Sequence, residues 1–176
     1  AFDADTIDGD TVIVRQAKAG EKLITLDEVE RELDPQDCII ADASKPLCIA
    51  GVLGGANSGV TETTKNIYLE GAYFDSVRVR KTAKRHAINS DASYRYERGV
   101  DPNATIDAHA YAVALLCELT GGTASARDNK GQQEFPRVEI AFSQSKVLKL
   151  IGVELDAAKI TQILELLDFE SKSVED

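Results

Sequence analysis

At 176 residues, with 43% hydrophobic and 28% charged content, the chain is long enough to bury one substantial core and to begin a second. No apolar run approaches the ~20 residues of a membrane-spanning helix and no charged-then-apolar leader opens the chain, which argues against a membrane or secretory protein and makes the cytoplasm the expected compartment. The formal net charge of -10 argues at first sight against a nucleic-acid partner. The chain begins at Ala1 and contains no methionine, so it reads as a piece of something longer. Cys38, Cys48 and Cys117 sit inside apolar runs without paired spacing, which predicts buried free thiols.

In chain order, Thr11 to Arg15 and Lys22 to Leu26 are short aliphatic and β-branched runs around a Lys/Gly/Glu turn, which predicts an antiparallel pair. Cys38 to Ala41 and Leu47 to Val52 are near-continuous apolar runs, the pattern of central strands covered on both faces. Gly51, Gly54, Gly55 and Gly59 crowd the next loop, and the strand Asn66 to Leu69 delivers Glu70 at its end. Asp75 to Ala87 reads as a helix with Val79, Ala83 and Ala87 on one side and Arg78, Lys81 and Arg85 on the other. Asn89 to Ser93 reads as a small-residue loop, and Asp101-Pro102 as the N-cap and first turn of a long helix to Thr120, closed by Gly121-Gly122.

Thr123 to Glu134 is a polar stretch with linker composition. Beyond it, Arg137 to Phe142 alternates like a strand. Ser143 caps a short helix ending at Gly152, and Asp156 caps another. About forty residues of this kind are too few for a core of their own, so residues 135–176 are expected to be an incomplete second domain. The predicted class is α/β (α+β), with mixed β-sheets, helices packed outside, and a partial second small α/β domain.

The charge distribution reverses the message of the net charge. Arg78, Arg80, Lys81, Lys84, Arg85, Arg95 and Arg98 face only Asp91 and Glu97 between residues 78 and 98, a basic island on an acidic body. Such an island suits a locally docked polyanion, and equally a solvated helix face that keeps the domain soluble. Gly54 to Thr61 imitates a phosphate-binding loop, but Val60 stands where the lysine is required, leaving only a backbone permissive of close approach. Ser58 lacks the flanking glycines of a nucleophile elbow, and nothing fixes a triad among His86, Asp91 and Ser93. His109 reads as a packed or surface residue of its helix. Glu70 follows an apolar run and precedes Gly71-Ala72-Tyr73-Phe74. A carboxylate there is either capped by a structural donor or awaits one from a ligand.

The segments GVLGGANSGV, NIYLEGAYF and RHAINSDASYRYERGVDP, with AFDAD at the start, strongly resemble the B3/B4 editing module of bacterial phenylalanyl-tRNA synthetase β subunits. RVEIAFSQSKVLKLIGVELDAAKITQILELLDFE resembles the start of the next domain of that subunit, B5, so the likeness spans essentially the whole chain. The resemblance implies domains over residues 1–122 and 135–176 joined by a linker, 123–134. It implies hydrolysis of tyrosine misattached to the phenylalanine tRNA. Glu70 falls on the acceptor of the tyrosine hydroxyl, Gly54 on a loop glycine at the substrate, Ala92 on the ring pocket, and Ser90 on a position where threonine is common. Gly51, Gly55 and Asp91 would complete the pocket, and Arg78, Lys81, Lys84, Arg85, Arg95 and Arg98 would meet RNA. The family's partners are the tRNA acceptor end and the α subunit of an α2β2 tetramer. ATP and magnesium serve the full enzyme and no cofactor is expected in this segment. The family also places a site-lining His immediately before the segment that begins here at Ala1. Docking of tRNA without catalysis is the competing reading.

Overall fold

The computed structural model describes residues 1–131 and 135–172, which divide into two compact units, Ala1–Phe135 and Pro136–Asp176. The first unit is built on β5 (Cys38–Ala41) and β6 (Pro46–Ile49). With β2 (Ile13–Gln16) and β7 (Leu53–Gly54) they form an antiparallel sheet in the order β2-β5-β6-β7. Ile39 and Ile49 pair across β5 and β6 and face one apolar cluster with Leu23, Leu33, Val52, Val79 and Ala83. Ile40 and Cys48, the next pair, face the other cluster with Phe2, Leu47 and Ala50. Side chains alternate across a strand, so an uninterrupted apolar run requires cover on both faces, and both are covered here.

Two small two-stranded sheets accompany this one. β1 (Phe2–Asp3) pairs with β8 (Ile67–Tyr68), and β3 (Lys22–Ile24) pairs with β4 (Glu30–Glu32). The expected pairing of Thr11–Arg15 with Lys22–Leu26 is therefore not formed. β2 instead joins β5, whose apolar run makes it the interior strand. β3 turns back on itself through Glu28, at φ +62°, with Glu28 N donating to Thr25 O over 2.8 Å.

α1 (Ser76–Arg85) follows Asp75, whose carboxylate accepts from Arg78 N, and buries Val79, Thr82 and Ala83. α2 (Asp91–Tyr96) occupies most of the segment expected to be a loop, because Ser90 and Ser93 form a reciprocal capping box at its start. α3 (Ala104–Thr120) begins two residues later than expected. Asn103 is its N-cap, and Asp101 Oδ1 instead accepts from Asn103 N at 2.9 Å in the turn before it. Gly121, at φ +69°, ends it in the left-handed conformation that glycine adopts without strain.

The second unit contains α4 (Gln144–Ile151), capped by Ser143, and α5 (Ala157–Leu166), capped by Asp156, neither with a buried residue. Arg137–Phe142 is not a strand: no described residues pair with it, and an unpartnered strand has no ladder for its backbone groups. Arg137 forms an ion pair with Glu170 at the far end of this unit. Of the expected linker, residues 132–134 lie outside the described residues, and 123–130 have no regular structure. The class is α+β, with antiparallel sheets and five α-helices among the described residues.

Candidate functional site

Glu70 lies in the segment between β8 and α1 that belongs to no helix or strand. Its side chain is half-buried and has no hydrogen-bond or ion-pair partner among the described residues. Burial pushes its carboxyl above the ordinary glutamate value. Glu70 is close enough for its charge to act on Cys38, Cys48 and Tyr96. All three are pushed up chiefly by burial, with Arg78 opposing the rise at Cys38. Of the two possibilities open from sequence, a structural donor is absent among the described residues.

β6 and β7 carry the glycines to the same region, since Cys48 is the strand partner of Gly54. Gly51, at φ +68°, makes the turn between them, where a Cβ would stand 2.9 Å from Phe74 Cδ2. A Cβ on Gly55 would stand 2.4 Å from Leu47 O, so both glycines answer first to packing. The loop's amides are also less open than its composition suggests: Gly55 N donates to Leu47 O at 2.8 Å and Ala56 N to Ile24 O at 2.9 Å. Ser58, the rejected nucleophile, is buried and donates to Leu47 O at 3.2 Å.

Ser90 joins this turn through its hydroxyl, which donates to Val52 O and accepts from Ser93 N at 3.0 Å. Its proton and its capping lone pair are thus both engaged, making Ser90 the link between α2 and the Gly51–Gly54 turn. Ala92 follows half-buried in the first turn of α2, where Asp91 is exposed. A small cleft opens nearby, lined by Cys38, Ala50, Phe74, Asp75, Arg78, Val79 and Thr82. Glu70, Ser90 and Gly54 do not line it, so this cleft and the unpartnered carboxylate are separate features.

The basic island divides in two. Arg78, Arg80, Lys81, Lys84 and Arg95 are exposed and form no ion pair among the described residues. Arg85 instead binds the buried carboxylate of Asp37, and Arg98 lies 3.6 Å over the Tyr94 ring and donates to Glu97 at 2.8 Å. His86 Nε2 lies 2.6 Å from Asp37 Oδ2 and Ser93 bonds to Ser90, so no Ser-His-Asp triad exists among His86, Asp91 and Ser93.

Sequence reading missed three residues here. Asp37, in a polar turn, shows nothing in its neighbours of the partners it meets on α1. Tyr96 donates to Ala72 O at 2.9 Å, and His109 Nε2 lies 3.1 Å from Leu69 O, so both reach the Glu70 segment. A tyrosine or histidine on a helix is ordinary in sequence, and only the docking of that helix reveals its target.

The family model of the B3/4 domain matches residues 1–121. The chain belongs to the B3/4 domain family. The chain is similar to part of the phenylalanine–tRNA ligase β subunits of Carboxydothermus hydrogenoformans, at 43% identity over 171 residues, and Bacteroides thetaiotaomicron, at 42% over 170. The β subunit of Aquifex aeolicus is 40% identical over 172 residues. These alignments cover 96%, 96% and 98% of this chain but 21%, 21% and 22% of the relatives, so the chain spans about a fifth of their length. The family resemblance carried by the Glu70 and Ser90 segments is thereby shown, across the B3/4 domain and the residues after it. No helix is long and apolar enough to cross a membrane among the described residues.

Proposed function

We propose that this chain is the editing module of a phenylalanine–tRNA ligase β subunit, hydrolysing the ester of tyrosine misattached to the phenylalanine tRNA. The observation that carries this reading is the half-buried, unpartnered carboxylate of Glu70. Phenylalanine and tyrosine differ by one hydroxyl, which an apolar synthetic site rejects only by about 100-fold. A second site that demands the hydroxyl corrects the error. Glu70 accepts the phenolic proton in a charge-assisted hydrogen bond worth roughly 1.5–3 kcal/mol, whereas a phenylalanine ring leaves the carboxylate desolvated and unpaired.

In the reaction, water attacks the ester carbonyl carbon, the bond to the ribose oxygen breaks, and that oxygen takes up the proton. Ser90 and the Gly55 and Ala56 amides are engaged within the protein, which supports a reaction assisted by the substrate's own neighbouring ribose hydroxyl. The protein's part is to orient the aminoacyl group: Glu70 holds the ring end, while the Gly51–Gly54 turn and Ala92 bound it. The exposed face of Arg78, Lys81, Lys84 and Arg95 supplies positive charge where the tRNA acceptor end passes. The same face favours the second reading, tRNA docking without catalysis. Docking alone gives the unpartnered Glu70 no role.

ATP and magnesium belong in this reading to the synthetic reaction of the whole ligase, assembled with an α subunit as an α2β2 tetramer in the cytoplasm. Among the described residues no group of three or more His, Cys, Asp or Glu is placed to hold a metal. The test is tyrosine and phenylalanine release from the charged tRNA by the ligase whose β subunit carries this chain, with and without Glu70→Ala. The variant is expected to lose about 10- to 100-fold of the preference for the tyrosyl ester. Equal handling of both esters by the unmodified ligase sinks the proposal.

A further inference from the structure

The Glu70 segment is held in an unusual way. Residues 69–74 belong to no helix or strand, and the long-range hydrogen bonds on their carbonyls come from two side chains. On one side of Glu70, His109 of α3 reaches the carbonyl of Leu69 at 3.1 Å. On the other, the Tyr96 hydroxyl of α2 donates to the carbonyl of Ala72 at 2.9 Å. Carbonyls only accept, so His109 carries its proton on Nε2 in this contact. Its Nδ1 is buried without a partner among the described residues, leaving the bond to Leu69 O as the ring's polar contact there.

The packing around both clips is close. Gly71 makes room for the imidazole, since a Cβ there would stand 2.8 Å from His109 Cβ. The Tyr96 ring packs on Phe74, with centroids 5.2 Å apart, which ties down the end of the same segment. Neither residue hydrogen-bonds to the Glu70 carboxylate among the described residues. Both set where the backbone bearing that carboxylate lies, and a hydrogen bond to a substrate hydroxyl depends steeply on distance and angle.

We propose that Tyr96 and His109 are positioning residues for specificity, clipping the Leu69–Ala72 backbone from two helices so that Glu70 is presented to the tyrosine hydroxyl. This inference rests on the editing reading. It adds that discrimination is set by two helices outside the segment that bears the acid, and that loosening either clip weakens tyrosine recognition before it weakens hydrolysis.

The experiment compares kcat/KM for tyrosyl and phenylalanyl esters in the intact ligase carrying Tyr96→Phe, His109→Leu, His109→Gln, Glu70→Ala, or Tyr96→Phe with Glu70→Ala. Tyr96→Phe and His109→Leu are each expected to lower the tyrosine preference about three- to tenfold, without lowering kcat/KM for the phenylalanyl ester. His109→Gln, which can still donate to Leu69 O, is expected to restore most of it. Adding Tyr96→Phe to Glu70→Ala is expected to change nothing further, since both act through one carboxylate. If Glu70→Ala abolishes the preference while both clip variants keep it, or if they slow both esters alike, the positioning role is overturned and the editing reading stands. If Glu70→Ala itself keeps the preference, both fall together.

Discussion

Asp37 Oδ2 and His86 Nε2 lie 2.6 Å apart, joining the turn before β5 to the C-cap of α1 across 49 residues of sequence. Asp37 is fully buried, and its other oxygen accepts from Thr82 Oγ1 at 2.9 Å and from Arg85. Asp34 N donates to Oδ2 at 2.9 Å. One carboxylate therefore sets how the end of α1 sits on the sheet, and with it where the chain enters the Ser90 turn.

Removing that carboxylate strands the nearly buried His86 ring, the Thr82 hydroxyl and the Asp34 amide, while Arg85 stays exposed beside Asp34 and Gln36. Asp37→Ala is expected to lower unfolding free energy by about 3–5 kcal/mol in urea titration, since breaking a buried pair strands its partners. A loss as small as a surface substitution's would show that the cluster contributes little to the fold.

The acid limb of stability follows from Asp37 and Asp42. Burial alone would raise both carboxyls. At Asp37 the bonds from His86, Asp34 N and Thr82 outweigh it, and at Asp42 those from Lys45 and the amides of Asp8, Ser44 and Lys45 do. Both are held below the ordinary aspartate value of 3.8. A depressed folded value means the unfolded chain binds protons first, so this stability is present above pH 3.8 and lost as pH falls through the folded values. Thermal melts from neutral to acid pH are expected to show a decline that Asp42→Asn flattens.

Glu70 has the opposite sign. Its raised value means that the folded chain holds the proton longer, so wild-type stability falls as pH rises from the ordinary 4.5 through the folded value. Glu70→Gln is expected to stabilise the protein at neutral pH by about 0.5–2 kcal/mol, the usual range of a single stabilising substitution. Below pH 4.5 the two proteins should melt alike. A destabilised Gln variant at neutral pH would mean that the charge has a partner in the fold.

Ser90 combines two duties that substitutions separate. Ser90→Ala removes the cap of α2 and the tie to Val52, and is expected to cost about 1 kcal/mol as well as slowing ester hydrolysis. Ser90→Thr keeps the oxygen and should preserve both, as read by melting temperature and tyrosine release.

Gly51 and Gly20 share a left-handed backbone, at φ +68° and +74°, but differ in surroundings. Nothing lies within 4 Å of a Cβ on Gly20, so Gly20→Ala is expected to cost only the strain of about 1–2 kcal/mol. Gly51→Ala also drives a methyl into Phe74 and Val79, so its cost should exceed that of Gly20→Ala by a further 1–3 kcal/mol or so. Equal melting temperatures for the two variants would show that Phe74 yields freely.

Much of the local structure, and the family, were legible along the chain. The apolar runs of β5 and β6 announced an interior sheet, Asp75 and the Val79–Ala83 spacing announced α1, and the Glu70 and Ser90 segments carried the family likeness. These are properties of neighbours along the chain, where a period or a cap suffices. Tertiary structure alone decided the rest: β2 joined β5 rather than β3, Arg137–Phe142 found no partner strand among the described residues, and Arg85 turned inward to Asp37. It alone also left Glu70 without a partner among the described residues while bringing Tyr96 and His109 to the backbone on either side of it. Pairing and burial depend on which surfaces meet, and an isolated strand, arginine or carboxylate has the same sequence whether its partner is present or not.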